Sequence, residues 1–151
     1  MNLDTWTALG SLGMIIMFVA LLLSFYVFLI GPQGEGPEVV VDVEALMYQV
    51  LSISAIPGLI LAGVAFGMRK TDFSQATSTI LIGTGLTLTT GMIFAHSISG
   101  SINSDFQTGS LVIVPLLFLI AGIGVMATGV ILHLNNLRRK RRKLPNFNKS
   151  L

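Results

Sequence analysis

The chain has 151 residues, 52% hydrophobic and 11% charged, with no cysteine and a formal charge of +2; its mean hydropathy is +0.81. A soluble domain carries roughly 25% charged residues, so this chain cannot cover a globule with polar groups and much of its surface must face lipid. The missing cysteine excludes disulfides, thiolate metal sites and a Cys nucleophile.

The first uncharged window covers 5–34, and its apolar part, about 6–30, is long enough to cross a bilayer, which needs about 20 residues. No basic residue precedes Arg69, whereas a cleaved signal peptide has a basic start and a shorter apolar core. We therefore expect a retained helix, with Trp6 near one interface and Phe25 and Tyr26 near the other. The following segment, GPQGEGPEVVVDVE, carries the helix breakers Pro32, Gly34, Gly36 and Pro37 and the acids Glu35, Glu38, Asp42 and Glu44. Residues 39–43 are the one candidate for a short extended piece. Asp42 and Glu44 belong at the start of the next helix, where the positive end of its dipole favours carboxylates.

The second span is expected over about 45–68. Pro57 lies near its middle, removes one backbone hydrogen bond and predicts a kink. Gly63 and Gly67 form a GxxxG pair, a close-packing face in membrane helices. The third span, about 76–98, is the most polar, with six threonines and with Gly83, Thr87 and Gly91 at four-residue intervals on one expected small-residue face. The fourth, about 110–137, includes Pro115, Gly122 and Gly129 and no charge from Gln107 to Leu137. It runs directly into Arg138, Arg139, Lys140, Arg141, Arg142 and Lys143, the start of a basic tail over 138–151 in which Pro145 stops any continuing helix. Residues 1–137 thus read as one membrane domain.

Lys and Arg accumulate on the cytoplasmic side of membrane proteins. Seven of the nine basic residues lie in 138–149, and the other two are Arg69 and Lys70. Four spans with both termini inside place every one of them on the same side. The expected architecture is therefore an all-α, multi-pass bundle in the cell membrane, with cytoplasmic N- and C-termini. Arg69, Lys70 and 138–143 are its lipid and topology anchors. Ile56-Pro57 with Leu61-Ala62-Gly63-Val64 resembles Val114-Pro115 with Ile120-Ala121-Gly122-Ile123. A duplicated hairpin and the general recurrence of Pro and Gly in membrane helices both account for it.

Candidate chemistry is sparse. His96 and His133 are expected at opposite ends of their spans, about 30 Å apart, too far to share a metal. His96 is the candidate metal ligand, with Asp105 or with another subunit; the simpler reading is an interfacial histidine. The methionines are scattered packing material. No Asp, Glu, Lys or Arg falls within 6–30, 45–68, 76–98 or 110–137, whereas proton relays and ion-coupled transporters usually place an ionisable group in the membrane. No phosphate loop, Ser-His-Asp set or dinucleotide fingerprint occurs. Attraction to anionic lipid accounts for the basic tail without nucleic acid.

The first functional expectation is a non-catalytic accessory subunit of a multi-subunit membrane enzyme complex. Its packing positions are Gly63, Gly67, Gly83, Thr87, Gly91, Gly122 and Gly129, its partners are membrane lipid and other transmembrane chains, and it holds no cofactor itself. The alternatives are a small oligomeric channel or transporter with the Thr/Gly-rich third helix along the path, and a free-standing adaptor. In size, four-span layout, absence of cysteine and basic tail, the chain resembles the small accessory subunits of membrane oxidases and monooxygenases, such as those of archaeal ammonia monooxygenase. That resemblance implies a scaffold role within an oxidoreductase complex, with copper or other cofactors in partner subunits.

Overall fold

The computed structural model describes residues 3–32, 36–37, 41–68 and 75–143, with the backbone alone for 139–143. The described residues are helical apart from short connections. Helix α1 is Leu3–Ile30, α2 is Val43–Gly67, α3 is Gln75–Ser99 and α4 is Gly109–Lys143, with a 3₁₀ turn at Ser104–Phe106 before α4. All four helices are long and apolar enough to cross a membrane. Residues 39 and 40 of the expected extended piece, and Arg69 and Lys70, lie outside the described residues, and Val43 of that piece already belongs to α2.

The helix ends follow local chemistry. At the end of α1 the chain reverses through Gly31 and Gly36, both in the left-handed region at φ 68° and 82°, which glycine enters without a Cβ penalty. A Cβ at Gly36 would also stand 2.6 Å from the Phe106 ring. Helix α2 starts at Val43 because Asp42 caps it, its Oδ1 accepting from the Ala45 N–H at 3.0 Å. Helix α4 passes the expected boundary at 137 and continues to Lys143; the strong helix formers Arg and Lys give it no reason to stop there.

The two membrane prolines are accommodated differently. Ahead of Pro57, α2 widens into a π-turn over Leu51–Ala55, and the Ile56 N–H reaches back five residues to the Leu51 carbonyl. Helix α4 carries Pro115 without such a turn. Pro115 has no N–H to give the Leu111 carbonyl four residues before it, and the Tyr26 hydroxyl donates there instead, at 2.6 Å. This explains why Tyr26 is fully buried. Its neighbour Phe25 is buried too, whereas Trp6 is 58% exposed. The two proline segments that look alike in sequence are therefore locally unlike.

The helices run up, down, up, down. Ser11 of α1 donates to the Gly58 carbonyl of α2 at 2.8 Å. Thr77 of α3 donates to Asp4 of α1 at 2.9 Å. A Cβ at Gly129 of α4 would stand 2.8 Å from the Ile82 nitrogen of α3. Around the bundle the order is α2, α1, α3, α4. The start of α1, the end of α2, the start of α3 and the basic part of α4 share one end, here the basic end. Asp42 and Asp105 mark the opposite, acidic end.

Large side chains fill the acidic half. Phe18, Leu22, Tyr26, Leu29, Met47, Met92 and Phe118 form one cluster, with Phe18 and Phe118 rings tilted at 4.9 Å between centroids. The basic half is built on smaller residues, Ala8, Ala62 and Ala65 with Leu81 and Leu132.

Candidate functional site

Where each helix turns its glycines decides which surfaces are already used. On α3, Gly85 faces α4 so closely that a Cβ there would collide with the Met126 backbone nitrogen. Across from it, a Cβ at Gly122 would be 2.7 Å from Thr89 Oγ1, and one at Gly129 would be 3.1 Å from the Ser78 carbonyl. Helices α3 and α4 thus touch backbone to backbone, and Gly85, Gly122 and Gly129 are spent on this intramolecular contact. Gly91 faces α1, with Val19 Cγ1 2.6 Å from its Cβ position.

Gly83, Thr87 and Gly91 do not share one face. At 3.6 residues per turn each four-residue step advances the helix by about 40°, so Gly91 is about 80° round from Gly83. That rotation carries Gly91 against α1 and leaves Gly83 pointing away from the bundle, with nothing within 4 Å of its Cβ position. The outward line of α3 is Thr79, Gly83, Leu86, Thr87 and Thr90, and none of them is buried. Thr79 donates to the Gln75 carbonyl at 3.1 Å and Thr90 to the Leu86 carbonyl at 2.9 Å, so both hydroxyls are folded back onto their own helix.

Gly63 and Gly67 of α2 also have open space around them. Gly63 lines a groove between α2 and α4 with a volume of about 310 Å³, together with Leu59, Ala62, Phe66, Ala121, Gly124, Val125 and Thr128. Gly85, Gly124 and the groove escaped the sequence reading, because a glycine's identity does not reveal which neighbour it faces.

Polar chemistry concentrates at the basic end. Helix α1 starts at Leu3, so Asp4 lies in its first turn and is buried. This differs from the expectation that no span carries an Asp, Glu, Lys or Arg, which rested on starting the first helix at residue 6. Asp4 Oδ2 accepts from Thr77 Oγ1, and Thr77 Oγ1 lies 3.1 Å from Thr5 Oγ1. Two buried atoms near the same end of α4, His133 Nδ1 and Asn136 Nδ2, have no hydrogen-bond partner among the described residues. His96 is exposed in the last turn of α3, and Asp105 is exposed in the 3₁₀ turn. Among the described residues no three His, Asp or Glu side chains converge as a metal site. Arg138 is exposed on α4, and 139–143 continue its helix.

These geometries define a class: an all-helical chain with four helices able to span a membrane, compatible with a multi-pass membrane protein. No family model, curated protein or solved structure matches the chain.

Proposed function

We propose that the chain is a non-catalytic accessory subunit of a multi-subunit membrane enzyme complex, with both termini cytoplasmic, and that the outward face of α3 docks a partner's transmembrane helix. The observation that carries this reading is the line Thr79, Gly83, Thr87, Thr90. Lipid tails give helices no hydrophobic reason to associate, so contact in the membrane comes from close backbone approach and interhelical hydrogen bonds. Gly83 offers the approach, since space lies open above it. Threonine hydroxyls now bonded to their own helix can turn towards a neighbour. A lone bundle facing lipid gains nothing from this choice of residues.

The resemblance in layout makes a membrane oxidase or monooxygenase complex the first to examine, with copper held by other chains. The test is Gly83→Leu. The variant is expected to insert and fold as the parent does but to run free of the complex after mild-detergent extraction, with the parent's co-purifying chains lost. If the parent purifies as a homo-oligomer that conducts ions in liposomes, the subunit reading gives way to the channel reading.

A further inference from the structure

We infer, on the reading of α3 as a docking face, that the helix it receives is α2 of a second copy, met at the π-turn. That turn leaves a backbone carbonyl without a donor. Over Leu51–Ala55 the Ile56 N–H passes by Ser52 and bonds the Leu51 carbonyl. Residue 57, the next that could reach Ser52, is proline and has no N–H. The two nearby hydroxyls are spent elsewhere, Ser52 donating to the Tyr48 carbonyl and Ser54 to the Val50 carbonyl, both at 2.7 Å. At Pro115 the equivalent gap is closed by Tyr26; at Pro57 no described side chain closes it. Ser52 and Ile53 are exposed and Ile56 is 50% exposed, so the gap lies on the outer side of the bundle. An unpaired carbonyl in hydrocarbon is costly, and a neighbouring helix can supply the donor it lacks.

The outward face of α3 carries a donor at the same depth. Ser52 is nine residues from the start of α2 and Thr90 nine from the end of α3, so each lies about 14 Å from the acidic end. Contacts with α1 give the same level. Gly58 of α2 abuts Ile15, and Gly91 of α3 abuts Val19. Counted from those contacts, Ser52 is level with Leu21 and Thr90 with Phe18, about 5 Å apart along the bundle. Thr90 is exposed, and its hydroxyl, now on the Leu86 carbonyl at 2.9 Å, can turn to another acceptor. Open space at Gly83 lets a backbone come close. Helices α2 and α3 run in opposite directions, so two copies of the same orientation in the bilayer meet as an antiparallel pair. The two faces belong to diagonal helices of the bundle, so the contact is head to tail and closes into a ring or continues as a row. An acyl chain fills this place less well, because it has no donor to give.

The chain has no cysteine of its own, so an engineered pair reports without background. Full-length copies with Ile56→Cys and copies with Thr87→Cys, differently tagged, are expressed together and oxidised in native membranes. Ile56 lies about 20 Å and Thr87 about 18 Å from the acidic end, and the two should link as a mixed-tag dimer. Leu86→Cys serves if Thr87→Cys does not fold. Ile120→Cys, exposed on α4 at similar depth, is the control for chance collision and should not link to Ile56→Cys. Thr90→Val removes the donor, and Pro57→Ala returns an N–H to the π-turn. Each should lower the mixed dimer about threefold, the worth of one interhelical hydrogen bond in a membrane, and the two together should lower it no further. Equal linking of Ile56→Cys to Thr87→Cys and to Ile120→Cys overturns the inference. So does linking only between copies that carry the same cysteine, or capture of a different polypeptide by Ile56→Cys. Other chains that co-purify while the pair stays unlinked overturn it and keep the subunit reading. A linked pair with no other chain co-purifying supports it and removes the subunit reading.

Discussion

Tyr26 shows how one hydroxyl repairs a defect that another residue creates. Pro115 leaves the Leu111 carbonyl without its helical donor, and Tyr26 Oη supplies the missing hydrogen bond at 2.6 Å. Tyr26→Phe keeps the ring and removes the donor, leaving a buried carbonyl unpaired. It should destabilise the protein by about 1–3 kcal/mol, read from thermal or denaturant unfolding in detergent. Pro115→Ala returns an N–H to Leu111. In that background Tyr26→Phe should cost clearly less, and a double-mutant cycle measures the coupling; additive effects would show that the hydroxyl does not serve this carbonyl. The Asp4–Thr77 pair makes a similar case at the basic end. Thr77→Val removes the 2.9 Å donor to a buried carboxylate and should also cost about 1–3 kcal/mol, whereas Thr90→Val, on the exposed face, should be close to neutral in the isolated chain.

Among the elements, α3 and α4 form the tightest pair, because glycines let their backbones meet. A methyl group at Gly85 or Gly122 has backbone atoms in its way, at 2.7 Å and 3.0 Å among others, and backbone moves less readily than the end of a side chain. Gly85→Ala and Gly122→Ala should each push the helices apart and lower the thermal transition markedly. Gly63→Ala meets open space and exchanges glycine for the best helix former. It should hold or raise stability, by up to about 1 kcal/mol. Equal effects at the three positions would contradict the α3–α4 contact. Gly83→Ala belongs with Gly63→Ala in the isolated chain, and only a partner would make it costly.

For the whole molecule, the distribution of charge is the physical constraint on orientation. Every Lys and Arg of the sequence falls on one side of a four-span arrangement, and the up-down-up-down packing gathers the start of α1, the start of α3 and Arg138 at one end of the bundle. A cysteine at Ser101, in the connection between α3 and α4, should react with an impermeant thiol reagent from outside intact cells. A cysteine at Ser150 should react only after the membrane is opened. The reverse labelling pattern would place the termini outside.

Four apolar stretches of spanning length and a one-sided set of basic residues were legible in the sequence, because hydrophobic length and charge are summed along the chain and need no knowledge of neighbours. The helix bounds shifted only at their ends, where capping by Asp42 and the helix-forming run after Leu137 extended what hydrophobicity alone had marked. Which glycine faces which helix was not legible. Gly83 and Gly91 share a spacing rule, yet about 80° of rotation separates them, and only the placement of α1 and α4 around α3 turns one inward and leaves the other free. The same holds for Tyr26. As a residue, an aromatic with a polar tip suits an interface; beside a carbonyl left without a donor 85 positions away, it becomes a buried hydrogen-bond donor. Long-range partners of this kind depend on the relative rotation of packed helices, which the tertiary structure alone decides.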